Sequence, residues 1–398
     1  MGKLNIFEIT LSNFQGVYYA GQNMKGHLTV ELTKEMSIIG IRLKFKGKAS
    51  VRFSESNIIL LESTTYHSSE KYFEEEMLLF GILPGQGRDT VKLPAGRTTF
   101  PFCFGLPPNL PSSFEGTDGS VKYTVTAIID RSGMHTSTKI RPFTIIGIMD
   151  LNADANAVMP IEGANEKTLF ASGPISASFH LERRGYVPGE PIKLMANIKN
   201  NSKTNMKSSY VELKMITTYH TPGKSQTSKK AVSRVTGGPI ETGQSFTWDG
   251  SQMFVVPPLP PSNLPGCQII DIKYTLTLKV QPSALKVPLD IIIGTIPLHE
   301  VVELCPPRAP QPLQPQIRYR LPASGMYGGV VMPLVYSQPA MPSNAPDLPP
   351  HSYRKCAIKK WGEKDTEDND DPRGYLEYAP LYIYYDWGHQ PTTMSEAP

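Results

Sequence analysis

The residues that could do chemistry in this chain sit in incomplete patterns. His299-Glu300-Val301-Val302-Glu303 starts like a zinc-hydrolase helix, but Glu303 stands where the second histidine ligand belongs. Gly223-Lys224-Ser225 ends like a phosphate loop, yet Thr218 occupies the place of its first glycine. Gly85-Gln86-Gly87 lacks the third glycine of a dinucleotide turn. The eight histidines are scattered, and no Ser/His/Asp or Cys/His set can be assembled. The chain therefore reads as no enzyme, with no catalytic residue, no metal site and no cofactor.

Two other groups invite a binding role. Lys224, Lys229, Lys230 and Arg234 fall in one short stretch. They make either a solvated edge or a docking surface for acidic or phosphorylated tails, or for anionic lipid at a membrane periphery. The four cysteines, Cys103, Cys267, Cys305 and Cys356, are far apart and form neither a CxxC pair nor a disulfide framework, as expected in a reducing compartment. Cys267 opens a predicted strand, where a buried inert thiol is the default.

These groups need elements to position them. With 398 residues, the chain has room for two or three domains. Its 37 prolines exclude a mainly helical fold, because proline breaks helix interiors. A net charge of +4 is too weak to imply nucleic acid. The apolar run from Pro288 to Leu298 is interrupted and too short to span a bilayer, so the chain is expected to be cytoplasmic.

Residues 1 to about 304 alternate with period two. Ile41, Leu43 and Phe45 oppose Arg42, Lys44 and Lys46, and Val121, Tyr123 and Val125 oppose Lys122, Thr124 and Thr126. This marks antiparallel strands with one buried face. An internal repeat divides the region. Tyr19-Ala20-Gly21-Gln22 and Val187-Pro188-Gly189-Glu190 each open a strand, at an offset of 168 residues. Leu106-Pro107-Pro108 precedes Val121-Lys122-Tyr123-Thr124, as Leu259-Pro260-Pro261 precedes Ile272-Lys273-Tyr274-Thr275. The expected architecture is all-β: two tandem sandwiches over 1–147 and 168–304, with a linker over 148–167.

Beyond Leu304 the texture changes. Residues 305–398 hold 16 of the 37 prolines and 9 of the 18 tyrosines, alternation stops, and Glu363, Asp365, Glu367, Asp368, Asp370 and Asp371 form an acidic cluster. Such a tail buries too little apolar area to offset its ordering entropy and is expected to be disordered.

Leu93-Pro94-Ala95-Gly96, Phe100-Pro101-Phe102, Leu110-Pro111-Ser112-Ser113-Phe114-Glu115-Gly116 and Gly185-Tyr186-Val187-Pro188-Gly189-Glu190 together resemble the alpha-arrestins, the arrestin domain-containing proteins. The resemblance implies two arrestin-like β-sandwiches and an adaptor role. The core of such an adaptor meets membrane cargo, such as receptors or transporters. Its tail binds WW domains of HECT-type ubiquitin ligases through Pro-Pro-x-Tyr, and the cargo is ubiquitinated and sorted from plasma membrane to endosomes. Here the tail reads Leu348-Pro349-Pro350-His351-Ser352-Tyr353 and Ala379-Pro380-Leu381-Tyr382, each motif one proline short. Pro349, Pro350, Tyr353, Pro380 and Tyr382 are thus degenerate WW-ligand candidates, expected to bind weakly and to share the contact by avidity. One branch of the family binds thioredoxin. That leaves a second reading open, a redox or metabolic regulator that binds thioredoxin-like enzymes through Cys267.

Overall fold

The computed structural model describes residues 4–57, 62–82, 89–131, 137–169, 172–310, 348–356, 378–390 and 392. In the first sandwich, a three-stranded sheet of Leu4–Leu11, Asn23–Leu32 and Gly96–Gly105 packs on a larger sheet. The larger sheet runs Val17–Tyr19, Ser137–Ile146, Gly119–Asp130, Gly40–Asn57, Glu62–Gly81, with Phe114–Glu115 paired to Gly119–Asp130. In the second sandwich, Ile161–Leu169, Gly173–Leu181, Pro191–Asn200 and Ser245–Val255 form one sheet. Gly185–Tyr186, Leu285–Ile293, Ile270–Gln281, Ser208–Thr221 and Lys224–Thr236 form the other.

The alternation is what places the cores. Ile41, Leu43 and Phe45 are fully buried, while Arg42, Lys44 and Lys46 keep partly exposed positions on the opposite face. Phe45 stacks on Phe104 of the facing sheet with ring centroids 4.0 Å apart. The buried cluster continues from one sandwich into the other. At the seam the Thr117 N–H donates to the Tyr219 hydroxyl (3.1 Å) and the Gln268 N–H to the Glu70 carboxylate (3.0 Å).

The repeat has matching geometry. Val17–Tyr19 and Gly185–Tyr186 each pair in parallel with the last strand of their own sandwich. The Tyr123 hydroxyl donates to the Pro111 carbonyl (2.7 Å), and that of Tyr274 to the Pro260 carbonyl (2.8 Å). Each bond ties a proline-rich approach loop to the strand that follows it. Tyr123→Phe and Tyr274→Phe should each cost about 1–2 kcal/mol, because each strands a buried carbonyl. Lying in separate sandwiches, the two losses should add to within about 0.5 kcal/mol in urea titrations.

The linker is shorter than the expected 148–167. Ile161–Leu169 is an edge strand of the second sandwich, paired from Ile161 opposite Leu181 to Leu169 opposite Gly173. Glu162 and residues 164–168 are exposed, which leaves no hydrophobic alternation to read, so the polar composition resembles a linker. Before it, Leu151–Ala153 makes a short 3₁₀ turn whose Asp150 carboxylate accepts from the Asn152 N–H (2.9 Å).

Candidate functional site

The structure disperses the basic stretch. Within the pair of strands Ser208–Thr221 and Lys224–Thr236, Lys229 lies opposite Ile216 and Lys230 opposite Met215. Successive strand residues point to opposite faces, so these two lysines share no surface. Lys224 pairs with Glu55 of the first sandwich and lies over the Tyr66 ring. Arg234 holds Glu212 at 3.0 Å, together with Lys214 and Lys279. Glu212 is almost fully buried; burial works to raise its pKa, but the Lys279 and Arg234 bonds prevail and hold it below the usual carboxylate range. Lys224 and Arg234 are thus seam and sheet residues, and no single docking face forms from the four.

Cys267 is buried at the seam. Burial pushes its thiol up, against the opposing pull of a bond with Tyr72. Thiolate, the form that attacks disulfides, is therefore disfavoured there, and the thioredoxin reading finds no support. His299–Leu304 forms a six-residue helix, and no group of three metal-ligating side chains converges among the described residues. Gly85-Gln86-Gly87 lies outside the described residues.

Two segments of the tail depart from the expected disorder. Residues 348–356 and 378–390, expected to be disordered, are placed against the body of the protein. Ser352–Lys355 and Leu381–Tyr384 pair as antiparallel strands, Tyr353 opposite Ile383. Beyond residue 310, the remainder of the tail (311–347, 357–377 with the acidic cluster, 391 and 393–398) lies outside the described residues. The physical reason for the order is a surface that exists only after the sandwiches form. Val187, Leu151, Ala157 and Leu298 close a buried cluster with Ile383, Tyr385 and Trp387. Val17, Tyr19 and Ile146 make a second buried patch, against which Leu348, Tyr353 and Leu381 pack.

Polar bonds fix the segment on both sandwiches. On the first, Tyr382 donates its hydroxyl to the Ser113 carbonyl (3.0 Å), and Thr144 meets the Tyr378 hydroxyl at 2.7 Å. On the second, the Tyr385 hydroxyl donates to the Thr295 carbonyl (2.8 Å) and its N–H to the Pro188 carbonyl (3.1 Å). Trp387 donates its indole N–H to the Cys305 carbonyl (2.8 Å). Further on, the Val255 N–H donates to the Thr392 hydroxyl (2.8 Å). The tail is a clasp across both sandwiches.

Gly189 shows how close the clasp lies. A Cβ there would stand 1.8 Å from the Tyr385 carbonyl oxygen, and its φ is +94°. Gly21, its counterpart in the first repeat, has φ +80° with nothing within 4 Å. Both glycines serve a left-handed turn; only Gly189 also makes room for another backbone.

Of the tail candidates, Pro380 and Tyr382 are buried, Tyr353 and Pro349 are half-buried, and only Pro350 is exposed. His351, between the prolines and the tyrosine of the first tail motif, joins Tyr19 and Tyr353 in a polar triad. The Tyr19 and Tyr353 hydroxyls lie 2.9 Å apart and the His351 Nε2 is 3.3 Å and 3.2 Å from them. Its Nδ1 is 2.9 Å from the Pro349 carbonyl, so Nδ1 carries the proton and donates, and Nε2 accepts. Burial pulls the His351 pKa below the ordinary value, opposed by that carbonyl. Burial raises the facing phenols of Tyr19, Tyr353 and Tyr385, which stay neutral.

A pH dependence follows. The released tail titrates at the ordinary histidine value of about 6.5, and the docked tail below it. The contribution of neutral His351 is fully present above that value and is lost as pH falls through the docked pKa. Amide exchange in 381–385, corrected for intrinsic rates and referred to the sandwich strands, should be faster at pH 5.5 than at 7.5. His351→Gln should flatten that difference.

Two sandwiches of one topology in tandem, sharing a buried seam, define an arrestin-type architecture. Residues 7–152 match the family model of the arrestin (or S-antigen) N-terminal domain, and residues 171–298 that of the C-terminal domain. Mouse arrestin domain-containing protein 4 is 32% identical over 295 residues, 71% of this chain and 70% of its own length. Arrestin domain-containing protein 17 of Caenorhabditis elegans is 29% identical over 314 residues, 75% and 72% of the two chains. Human arrestin domain-containing protein 1 is 27% identical over 317 residues, 78% and 68%. The chain belongs to the arrestin family, in its alpha-arrestin branch, and that membership supports an arrestin-type adaptor role.

Proposed function

We propose that this chain is a non-catalytic adaptor that links membrane cargo, such as receptors or transporters, to the ubiquitination and endocytic sorting machinery. The observation that carries the reading is the arrestin architecture joined to a tail with two tyrosine motifs of WW-ligand type, Pro349-Pro350-His351-Ser352-Tyr353 and Ala379-Pro380-Leu381-Tyr382. WW domains of HECT-type ligases are the partners this chemistry suits, because their aromatic grooves take extended proline-rich peptides at low entropic cost. Among the described residues no helix is long and apolar enough to cross a membrane. An adaptor of this kind works from the cytoplasm and is recruited to plasma membrane and endosomes by its cargo.

The test is proximity labelling from the full chain in living cells, beside a chain ending at residue 347. Labelling of membrane cargo by both chains, with ligase labelled only by the full chain, is the expected result. Labelling of neither cargo nor ligase would overturn the reading.

A further inference from the structure

We propose that the docked clasp and capture of the tail by a WW domain exclude one another, so that the folded chain masks its own ligase motifs. The inference rests on the adaptor reading above and adds a regulation to it.

Two observations carry it. The first is burial. A WW groove must surround the proline and tyrosine rings of its ligand, yet Pro380 and Tyr382 are enclosed by the sandwiches and the Tyr382 hydroxyl is spent on the Ser113 carbonyl. The second is conformation. Ser352–Lys355 and Leu381–Tyr384 are paired β-strands, with Tyr353 and Tyr382 both inside the ladder. A WW ligand lies in its groove as a polyproline II helix, which has no internal hydrogen bonds. Docking on a WW domain therefore requires both motifs to leave the ladder and the body. Apparent affinity falls by the fraction of chains with the tail released. A clasp closed in nine chains of ten weakens binding about tenfold, and one closed in ninety-nine of a hundred about a hundredfold.

The two repeat glycines supply a matched pair of variants. Gly189→Ala places a methyl group into the Tyr385 carbonyl, whereas Gly21→Ala imposes a similar backbone strain in open space. Tyr385→Ala is a second way to open the clasp. Tyr385 is fully buried, bonded to Thr295, and outside both motifs.

The experiment titrates a tandem pair of WW domains against a peptide spanning residues 345–390, the wild-type chain, and the three variants. The peptide, Gly189→Ala and Tyr385→Ala should bind at least tenfold tighter than the wild-type chain, with Gly21→Ala binding like wild type. Tyr385→Ala placed in the peptide should change nothing. Wild-type chain binding as tightly as the peptide would overturn the masking alone. A peptide that binds no WW domain would overturn the ligase reading, and the masking with it.

Discussion

Glu190→Ala is expected to destabilise the second sandwich by about 3–5 kcal/mol, the range for removing one partner of a buried ion pair. Glu190 is 2% exposed. It pairs with the Arg183 guanidinium, and its other oxygen accepts from the Val187 N–H at 3.0 Å. Burial pushes the carboxyl up and Arg183 pulls it back. Arg183 also donates to the Gly185 carbonyl and lies 4.3 Å from the Tyr186 ring centroid. Alanine would strand a mostly buried cation and an amide at one stroke. In thermal melts the loss amounts to roughly 6–20 °C for a domain of this size.

The first repeat shows how the same turn is held without charge. At the 168-residue offset, Gln15 and Gln22 stand where the second sandwich has Arg183 and Glu190. The Gln22 side-chain oxygen accepts from the Tyr19 N–H at 3.0 Å, the same bond that Glu190 makes to Val187. Arg183→Gln with Glu190→Gln should therefore recover most of the loss, ending within about 1 kcal/mol of wild type, because replacing both partners leaves no orphaned charge. Urea titration of the alanine variant and the double variant checks both statements. Equal losses for the two would show that the ion pair itself, not the capped amide, holds the turn.

The parts of the fold that are legible in the sequence are those where burial leaves a periodic trace. Ile41, Leu43 and Phe45 announce a half-buried strand because side chains alternate across a sheet. The repeat is legible because left-handed turns demand glycine at Gly21 and Gly189. Ile161–Leu169 leaves no trace, since an edge strand needs backbone partners more than apolar side chains. The basic stretch misleads for a related reason. Adjacent Lys229 and Lys230 alternate across the sheet, and the bulge at Leu213/Lys214 falls between the lysines and Arg234 and breaks their common register.

The order in the tail escapes its composition, because composition averages over the whole segment. Low burial capacity is a property of a segment alone in water. It says nothing about the short stretch 378–390, which meets a preformed apolar surface. The run Leu381-Tyr382-Ile383-Tyr384-Tyr385-Asp386-Trp387 is the available signal, since it is dense in residues that favour strands. Tyr382 as a peptide ligand and Tyr382 as a clasp anchor use the same chemistry, an aromatic ring with a hydroxyl that seeks a carbonyl. Only the fold shows that a carbonyl, that of Ser113, is already within reach.

That double use gives Tyr382→Ala an effect whose sign depends on what carries it. In an isolated tail peptide, alanine removes one of two ring anchors, so WW binding should weaken, and Tyr353→Ala added to it should abolish binding. In the whole chain Tyr382 is 3% exposed, and its loss leaves a cavity and an unpaired Ser113 carbonyl. Truncating a buried aromatic ring costs about 3–5 kcal/mol. A clasp of two short strands cannot absorb that loss and stay docked, so both motifs are released together. The first motif, Pro349-Pro350-His351-Ser352-Tyr353, then becomes accessible on a chain that had held it half-buried. Whole-chain Tyr382→Ala should therefore bind a single WW domain more tightly than the wild-type chain, by about tenfold, while the same substitution in the peptide lowers affinity. Tyr353→Ala should show no such reversal. It strips the better-exposed motif of its ring, and its hydroxyl bonds to Tyr19 and His351 contribute only about 1–2 kcal/mol to docking. Parallel titrations of peptide and whole chain read the sign directly. Weakening by Tyr382→Ala in both would mean that Tyr382 reaches the WW groove from the folded chain.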